Sequence, residues 1–245
     1  NRFYEKGQQA AGKYERFDYD FFEGGGVQGN AEFVAGLRSC YEPGKPSLCD
    51  EYRLADLFNN ACRRGELALY DDAVGRLYRC AEMAATMILS KLAPQFDPNK
   101  ADWNALRHKF VGIDLDKLYV EKSKNAPQKP RAMPASEKIG LAVQMTLCGT
   151  LGQAIKSQPE RFDDQQKEYA GPAISIHKIY DEKANKENMF SLRNRSILAH
   201  GTKPLDEKLY TDFQRTIEAI CAPAVGKKAW AKLKSQAVFP KLKLY

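Results

Sequence analysis

Apolar residues recur every three or four positions through residues 70–92, and this repeat constrains the fold more than any other feature of the chain. At roughly 3.6 residues per turn, the spacing places one apolar stripe along a helix of about six turns. Asp71 and Asp72 open the stretch, where acidic side chains favour a helix N-terminus. The stripe consists of Val74, Leu77, Tyr78, Ala81, Ala84, Ala85, Ile88 and Leu92.

The same periodicity recurs over residues 51–65, 136–155 and 205–222, and we expect Gly65 to end the first of these helices. Strand-like alternation is almost absent, apart from a weak pattern at 112–120. Because each apolar stripe has to be covered by another element, several striped helices predict an all-α fold, most simply a helical bundle.

Two stretches interrupt the helical pattern. Residues 21–30 read FFEGGGVQGN, but no G-K-[ST] sequence follows and no strand precedes them, so we interpret them as a hinge and not as a phosphate-binding loop. Residues 94–136 are rich in proline and basic residues, which predicts a long loop inserted between two bundle helices. The predicted organisation is a helical linker region with a glycine-rich hinge (1–49), a bundle (50–222) and a basic tail (223–245).

The net charge of +7 is concentrated in the tail, which has six lysines and no acidic residue. The rest of the chain therefore carries about +1, so basicity alone does not indicate a nucleic-acid-binding domain. A lysine-rich tail either contacts phosphates or stays solvated, and the sequence leaves both alternatives open. The lysines are Lys227, Lys228, Lys232, Lys234, Lys241 and Lys243.

Composition and cysteine spacing predict a soluble, cytoplasmic protein, and we expect neither a metal ion nor a cofactor. No apolar run is long enough to cross a bilayer, so we expect no membrane association. The six cysteines form no C-x-x-C pair and have no histidine at zinc-ligand spacing, which fits a reducing compartment, although a disulfide between Cys40 and Cys49 stays open. The chain begins at Asn1 and Arg2 without an initiator methionine or leader, so we expect a longer gene product.

The sequence LRNRSILAHG at 192–201 is unusually rich in groups that can do chemistry. The pattern predicts a helix that runs from Pro172, breaks near Asn185 and ends at His200, before Gly201 and Pro204. In the simplest interpretation, basic side chains near a helix C-terminus merely complement the helix dipole.

Helical geometry brings two of these groups to one face. Arg193 and His200 are seven positions apart, which places them within roughly 20° of each other around a helix. Arg195 points roughly 140° away from His200 and is the weaker candidate. Asn194 lies between these directions and can orient its neighbours, and Ser196 is a further supporting candidate.

The stretch RNRSILAHG resembles the R-N-x(4-5)-H motif of HEPN domains, with Arg193, Asn194 and His200 at the motif positions. The upstream sequence YDDAVGRLYRCAEMAA resembles the first bundle helix of the HEPN module in the CARF-HEPN ancillary ribonucleases of type III CRISPR systems. The two resemblances together cover about 50–222. They imply a HEPN-like bundle with the three motif residues as catalytic residues.

The resemblance further implies a metal-independent endoribonuclease that cleaves single-stranded RNA as a homodimer, in type III CRISPR antiviral defence. It also implies regulation by cyclic oligoadenylate, bound by an upstream CARF domain that is absent from this chain.

The chemistry of RNA cleavage assigns expected roles to the motif residues. Without a metal ion, attack of the 2′-hydroxyl needs a proton acceptor, a proton donor and positive charge on the phosphorane oxygens. Arg193 suits the phosphorane, and His200 suits an acid or electrostatic role because a helix C-terminus favours its protonated form. We interpret His108 and His177 as structural, so a two-fold dimer would have to supply the second motif histidine.

Other interpretations stay open. Arg76 and Arg79 lie on the polar side of the 70–92 helix, where they either form ion pairs or brace the cleft from a neighbouring helix. The whole chain could be a catalytically silent HEPN module for RNA binding or dimerisation. It could also be a HEPN toxin paired with a nucleotidyltransferase antitoxin, or a helical scaffold if the motif arginine and histidine face apart.

Overall fold

The computed structural model describes residues 26–40, 51–113, 138–186, 189–191 and 204–237. These ranges contain eight α-helices and no strand, so the prediction of an all-α fold is confirmed. In chain order the helices are α1 (Gly26–Ser39), α2 (Glu51–Glu66), α3 (Tyr70–Leu92), α4 (Trp103–Lys109), α5 (Leu141–Ser157), α6 (Asp164–Asp181), α7 (Glu207–Val225) and α8 (Lys227–Gln236).

Helix α3 is the centre of the bundle and packs against α2, α5, α6 and α7. Every member of its predicted apolar stripe is buried, except that Tyr78 is only partly buried. Full burial of one large aliphatic side chain contributes about 1.5–3 kcal/mol, so this stripe is a principal source of stability. The 3.6-residue repeat therefore identified the central helix and the face by which the other helices pack on it.

Gly65 does not end α2, contrary to the sequence prediction, because the helix continues to Glu66. Gly65 is buried, and a Cβ atom there would lie 2.1 Å from Cζ of Tyr210 on α7. The glycine is thus required by the close approach of a tyrosine ring and not by the backbone conformation of a helix end.

Helix α6 starts earlier than the sequence predicted. It begins at Asp164, after a capping box in which Asp163 and Gln166 exchange hydrogen bonds, and it contains Pro172 in its interior. A proline removes one helical hydrogen bond, and the buried Ala173 and Ile176 help to offset that loss. The predicted break near Asn185 is confirmed, since α6 ends at Asp181 and a π-helical turn covers Glu182–Lys186.

Three segments predicted to lie outside the packed bundle contribute helices to it. Helix α1 begins inside the predicted hinge, α4 lies inside the predicted inserted loop, and α8 lies inside the predicted tail. Each inserts one aromatic side chain into the core, namely Phe33, Trp103 and Trp230, all at most 3% exposed. Glycine, proline and lysine content favoured a hinge, a loop and a tail there, because composition does not reveal which few side chains are buried by distant helices. Residues 114–120 of the weak strand pattern lie outside the described residues.

Candidate functional site

The motif segment, residues 192–203, lies outside the described residues. Arg193, Asn194, Arg195, Ser196 and His200 therefore stay sequence predictions, and so does the helix end expected at His200. The described chain stops at Ser191 and resumes at Pro204. It shows where the two ends of the motif segment are held.

The first end is anchored by a cluster of aromatic rings. The 3₁₀ turn Met189–Ser191 places Phe190 in the core, with its ring centroid 4.6 Å from that of Tyr180. Edge-on contacts follow with Phe213 at 5.5 Å and Tyr78 at 6.4 Å. Oγ1 of Thr216 lies 3.2 Å from Sδ of Met189 and 2.9 Å from the backbone carbonyl of Asp212. This end of the segment is thus packed against α3, α6 and α7.

The second end is anchored by polar contacts at the starts of α3 and α7. The backbone N–H of Leu205 donates to Oδ2 of Asp71 over 3.4 Å, and the Leu205 side chain is buried. Asp206 then caps α7, since its side chain accepts a hydrogen bond from the N–H of Leu209 over 2.8 Å. The chain is therefore held by directional bonds immediately after the motif segment.

Both ends of the motif segment meet the N-terminal half of α3. Asp71 holds one end and Tyr78 contacts the other, and seven helical residues correspond to about 10 Å along the axis. The sequence pattern predicts only a helix N-terminal role for Asp71 and only a core role for Tyr78. The sequence feature that could have indicated their contact with the motif segment is the pair of apolar residues, Phe190 and Leu205, that flank the motif on either side.

Arg76 lies on α3 between these two anchoring positions. Its Nε is 2.9 Å from Oδ1 of Asp72, and its Nη2 is 3.4 Å from Oδ2. Arg64 of α2 also approaches Oδ2 of Asp72, with Nε at 3.2 Å. One partly exposed carboxylate thus serves two guanidinium groups.

Arg79 pairs with Glu82 on the same helix, with Nη1 2.6 Å from Oε2, and its side chain is 58% exposed. Between the two interpretations of Arg76 and Arg79, the geometry favours ion pairing for both. Arg76 is still the better placed of the two to contact an anion, because it shares the Asp72 carboxylate with Arg64, whereas among the described residues no second basic group pairs with the Glu82 partner of Arg79.

The two histidines outside the motif have different surroundings. His108 is exposed on α4, whereas His177 is half-buried on α6 and lies against Gly149 of α5. Burial lowers the pKa of His177 below its ordinary value, and the nearby Asp181 carboxylate partly opposes this. A histidine packed in this way favours the neutral form, which fits a structural role.

Other titratable groups near the core are also held in their neutral forms. Burial raises the pKa of the Tyr180 hydroxyl to about 12, and burial raises the pKa values of Cys80, Cys148 and Cys221 above the ordinary range. None of these thiols is therefore a ready nucleophile, because the reactive form is the thiolate.

The part of the chain that the structure describes offers no cluster of three or more His, Cys, Asp or Glu residues arranged to hold a metal ion. Within the same ranges, no helix is both long enough and apolar enough to cross a membrane.

Comparison with known proteins places most of the chain in one family. A family model described as the Csm6 HEPN domain matches residues 49–223, well over half of the chain. The match extends from the residues just before α2 into the last turn of α7 and includes the motif segment. No protein with curated function and no solved structure matches the chain.

Proposed function

Since the chain belongs to the CRISPR-associated Csm6 HEPN family, we propose that it is a metal-independent endoribonuclease that cleaves single-stranded RNA. Arg193, Asn194 and His200 are the proposed catalytic residues. The observation that carries the proposal is the family match across the motif segment, whose two ends are anchored on α3 and α7. The proposal includes a role in type III CRISPR defence and activation by cyclic oligoadenylate through a separate sensor domain.

The proposed chemistry is attack of a ribose 2′-hydroxyl on the neighbouring phosphorus. The guanidinium of Arg193 has a planar set of donors that matches phosphate oxygens and stays charged at any working pH, so it stabilises the phosphorane. The imidazole of His200 exchanges protons near neutrality and gives a proton to the departing 5′-oxygen. Asn194 orients the two groups through its amide.

A homodimer completes the proposed site. The motif of one chain has a single histidine, whereas the reaction needs both a proton acceptor and a proton donor. A two-fold axis beside the motif segment places two arginines and two histidines in one cleft. We therefore propose that one chain alone is inactive.

The anchors at the ends of the motif segment support this proposal because catalysis requires groups held in position before the substrate arrives. Phe190 and Leu205 are buried, and Leu205 is also hydrogen-bonded to Asp71. Arg76 shares the Asp72 carboxylate with Arg64 on the same half of α3, where its guanidinium can attract an RNA phosphate. Arg195 and Ser196 stay supporting candidates within the segment.

Substitution of the motif histidine tests the proposal. We expect His200→Ala to lower the cleavage rate of a labelled single-stranded RNA at least about a hundredfold, the scale of lost acid–base catalysis. EDTA should leave the wild-type rate unchanged. Arg193→Ala should lower the rate far more than Arg195→Ala, which is the matched control on the same segment.

Gel-shift binding of the same RNA separates catalysis from recognition. Binding by the wild-type chain without any product would favour the catalytically silent RNA-binding module. Wild-type cleavage by purified His200→Ala would contradict the assignment of the catalytic residues.

A further inference from the structure

Three large aliphatic side chains are exposed at one corner of the bundle. Leu67 and Leu69, in the turn between α2 and α3, are 66% and 45% exposed, and Leu209 in the first turn of α7 is 37% exposed. Among the described residues, the other exposed large apolar side chains are Val34 and Val111. Single exposed apolar residues are ordinary, whereas a cluster marks a contact surface.

The three leucines lie at the same corner because the residues that follow two of them in the chain pack against each other. Leu69 immediately precedes Tyr70, and Leu209 immediately precedes Tyr210. The rings of Tyr70 and Tyr210 stack with centroids 5.5 Å apart and an interplanar angle of 28°. The α2–α3 turn and the first turn of α7 are therefore neighbours, and we call Leu67, Leu69 and Leu209 the leucine corner.

The turn that carries Leu67 and Leu69 is held in a defined shape. Three backbone hydrogen bonds close it, from Leu67 N and Leu69 N to Arg64 O, and from Ala68 N to Gly65 O, over 2.9–3.2 Å. Ala68 has a φ of 57°, in the left-handed region that residues other than glycine rarely adopt. The structure thus maintains a strained conformation whose result is to point two leucines outward, which suggests a function for the turn.

Charges beside the leucine corner favour a second copy of this chain as its partner. Glu207 and Lys208 are exposed next to Leu209, and neither forms an ion pair with any residue in the described ranges. At a two-fold interface the same patch meets itself, so Glu207 of one protomer can face Lys208 of the other. Adjacent opposite charges are therefore self-complementary across such an axis.

The position of the leucine corner relates it to the motif segment. Leu205 follows that segment and is bonded to Asp71, one residue after Tyr70. A contact at this corner therefore brings Leu205 of each protomer, which follows the motif segment in the chain, close to one interface. We propose that the leucine corner is the apolar centre of the homodimer interface, with Glu207 and Lys208 pairing across the two-fold axis. The proposal rests on the proposed function in that the composite site lies beside this axis.

Charge insertion tests the surface. In the full 245-residue chain, we expect Leu67→Glu to raise the dimer dissociation constant about a hundredfold, because two carboxylates would meet at the axis without partners. Analytical ultracentrifugation over a concentration series gives the constant. Val111→Glu is the matched control, since Val111 is 62% exposed and belongs to the opposite end of α3. Arg161 donates to the Val111 carbonyl, and Gln166, five residues later, donates to the carbonyl of Leu92 at the C-terminal end of α3, roughly 30 Å along that helix from its first residue.

A charge exchange tests the pairing across the axis. Lys208→Glu alone should weaken the dimer about tenfold, whereas Glu207→Lys combined with Lys208→Glu should restore wild-type affinity, because the exchanged charges again face each other. Failure of the double variant to recover affinity would overturn the assigned pairing.

The outcomes separate this inference from the proposed function. A monomeric wild-type chain, or a Leu67→Glu chain that associates as tightly as Val111→Glu, would overturn the interface. If Leu67→Glu only lowers the melting temperature without changing the mass, the leucine corner is covered by the chain itself and the proposal is wrong. A monomeric Leu67→Glu chain that still cleaves RNA would support the surface and contradict the composite site. A monomeric and inactive Leu67→Glu chain would support both the interface and the composite site.

Discussion

The contact between Gly149 and His177 shows how one small residue sets the protonation of another. A Cβ atom on Gly149 would lie only 2.2 Å from Nδ1 of His177, so the imidazole occupies the space that a side chain on α5 would fill. This close packing of α5 on α6 removes water from the ring and lowers its pKa. The histidine therefore couples the stability of the bundle to pH.

Stability should fall on acidification because of His177. The unfolded chain binds a proton at this residue near its ordinary pKa of about 6.5, whereas the folded chain binds it only at lower pH. The free energy of unfolding is therefore unaffected by this group above pH 6.5 and decreases as the pH falls from 6.5 towards the folded pKa. Urea titrations at several pH values should show a shallower decrease for His177→Gln than for wild type.

His108→Gln is the matched control for this pH dependence, because His108 is exposed on α4. Comparison of the two variants separates the loss of the imidazole packed against Gly149 from the loss of an imidazole elsewhere in the chain. An equal slope in wild type and His177→Gln would mean that the packing against Gly149 does not govern the titration.

At the level of elements, α3 and α7 form the support of the motif segment. Phe190 packs between them before the segment, and Leu205 is bonded to the first turn of α3 after it. Helices held by core packing are rigid supports, so a segment fixed to them at both ends loses less conformational entropy when it binds substrate. Helix α3 thus packs into the core through its buried stripe and also holds the residues on either side of the proposed site.

Removing the anchor at Asp71 should affect cleavage more than stability. Asp71→Ala deletes the acceptor of the Leu205 N–H, and we expect a loss of about 1 kcal/mol in the free energy of unfolding. The RNA cleavage rate should fall roughly ten- to hundredfold, because small displacements of catalytic groups are costly. Single-turnover cleavage and thermal melting measure the two effects.

Asp71→Asn is the matched control, since its amide oxygen can still accept the Leu205 hydrogen bond. It should retain most of the activity. Wild-type cleavage by Asp71→Ala well below its melting temperature would show that this anchor does not position the site.

At the scale of the molecule, α8 closes one side of the bundle against α2 and α7. The Trp230 ring lies edge-on to Phe58, with centroids 5.3 Å apart. Asn59 donates a hydrogen bond from Nδ2 to the Lys234 backbone carbonyl over 3.0 Å, and Lys234 also pairs with Glu218. Much of the predicted tail is thus part of the fold, while Lys227, Lys228 and Lys232 stay exposed on its outer face.

Truncating the Trp230 anchor should destabilise the whole bundle. We expect Trp230→Ala to lower the free energy of unfolding by about 3–5 kcal/mol, as for other large buried aromatic residues. Trp230→Phe should cost less, because Nε1 of Trp230 has no hydrogen-bond partner in the described structure. Lys228→Ala, on the exposed face of the same helix, should change stability by under about 0.5 kcal/mol.

Urea denaturation of the full chain measures all three variants. A Trp230→Ala chain as stable as wild type would mean that α8 can detach from α2 and α7 without loss.

Local patterns were sufficient for the features that depend on neighbours along the chain. The bounds of α3 and its buried face follow from a 3.6-residue repeat, because residues three or four apart share one side of a helix whatever surrounds it. The motif that carries the proposed chemistry is local for the same reason. Its resemblance to HEPN domains agrees with the family to which the chain belongs.

The predictions that were wrong concern features that depend on contacts between distant segments of the chain. Gly65 read as a helix stop because nothing near it in the chain reveals the Tyr210 ring that approaches it. The glycine-rich start of α1 read as a hinge, the inserted α4 as a loop and the lysine-rich α8 as a tail, because each of these helices buries only a few side chains against distant parts of the chain. Burial energy depends on which surfaces meet in space, and that pairing follows from the folded arrangement of the helices and not from the order of residues within any one of them.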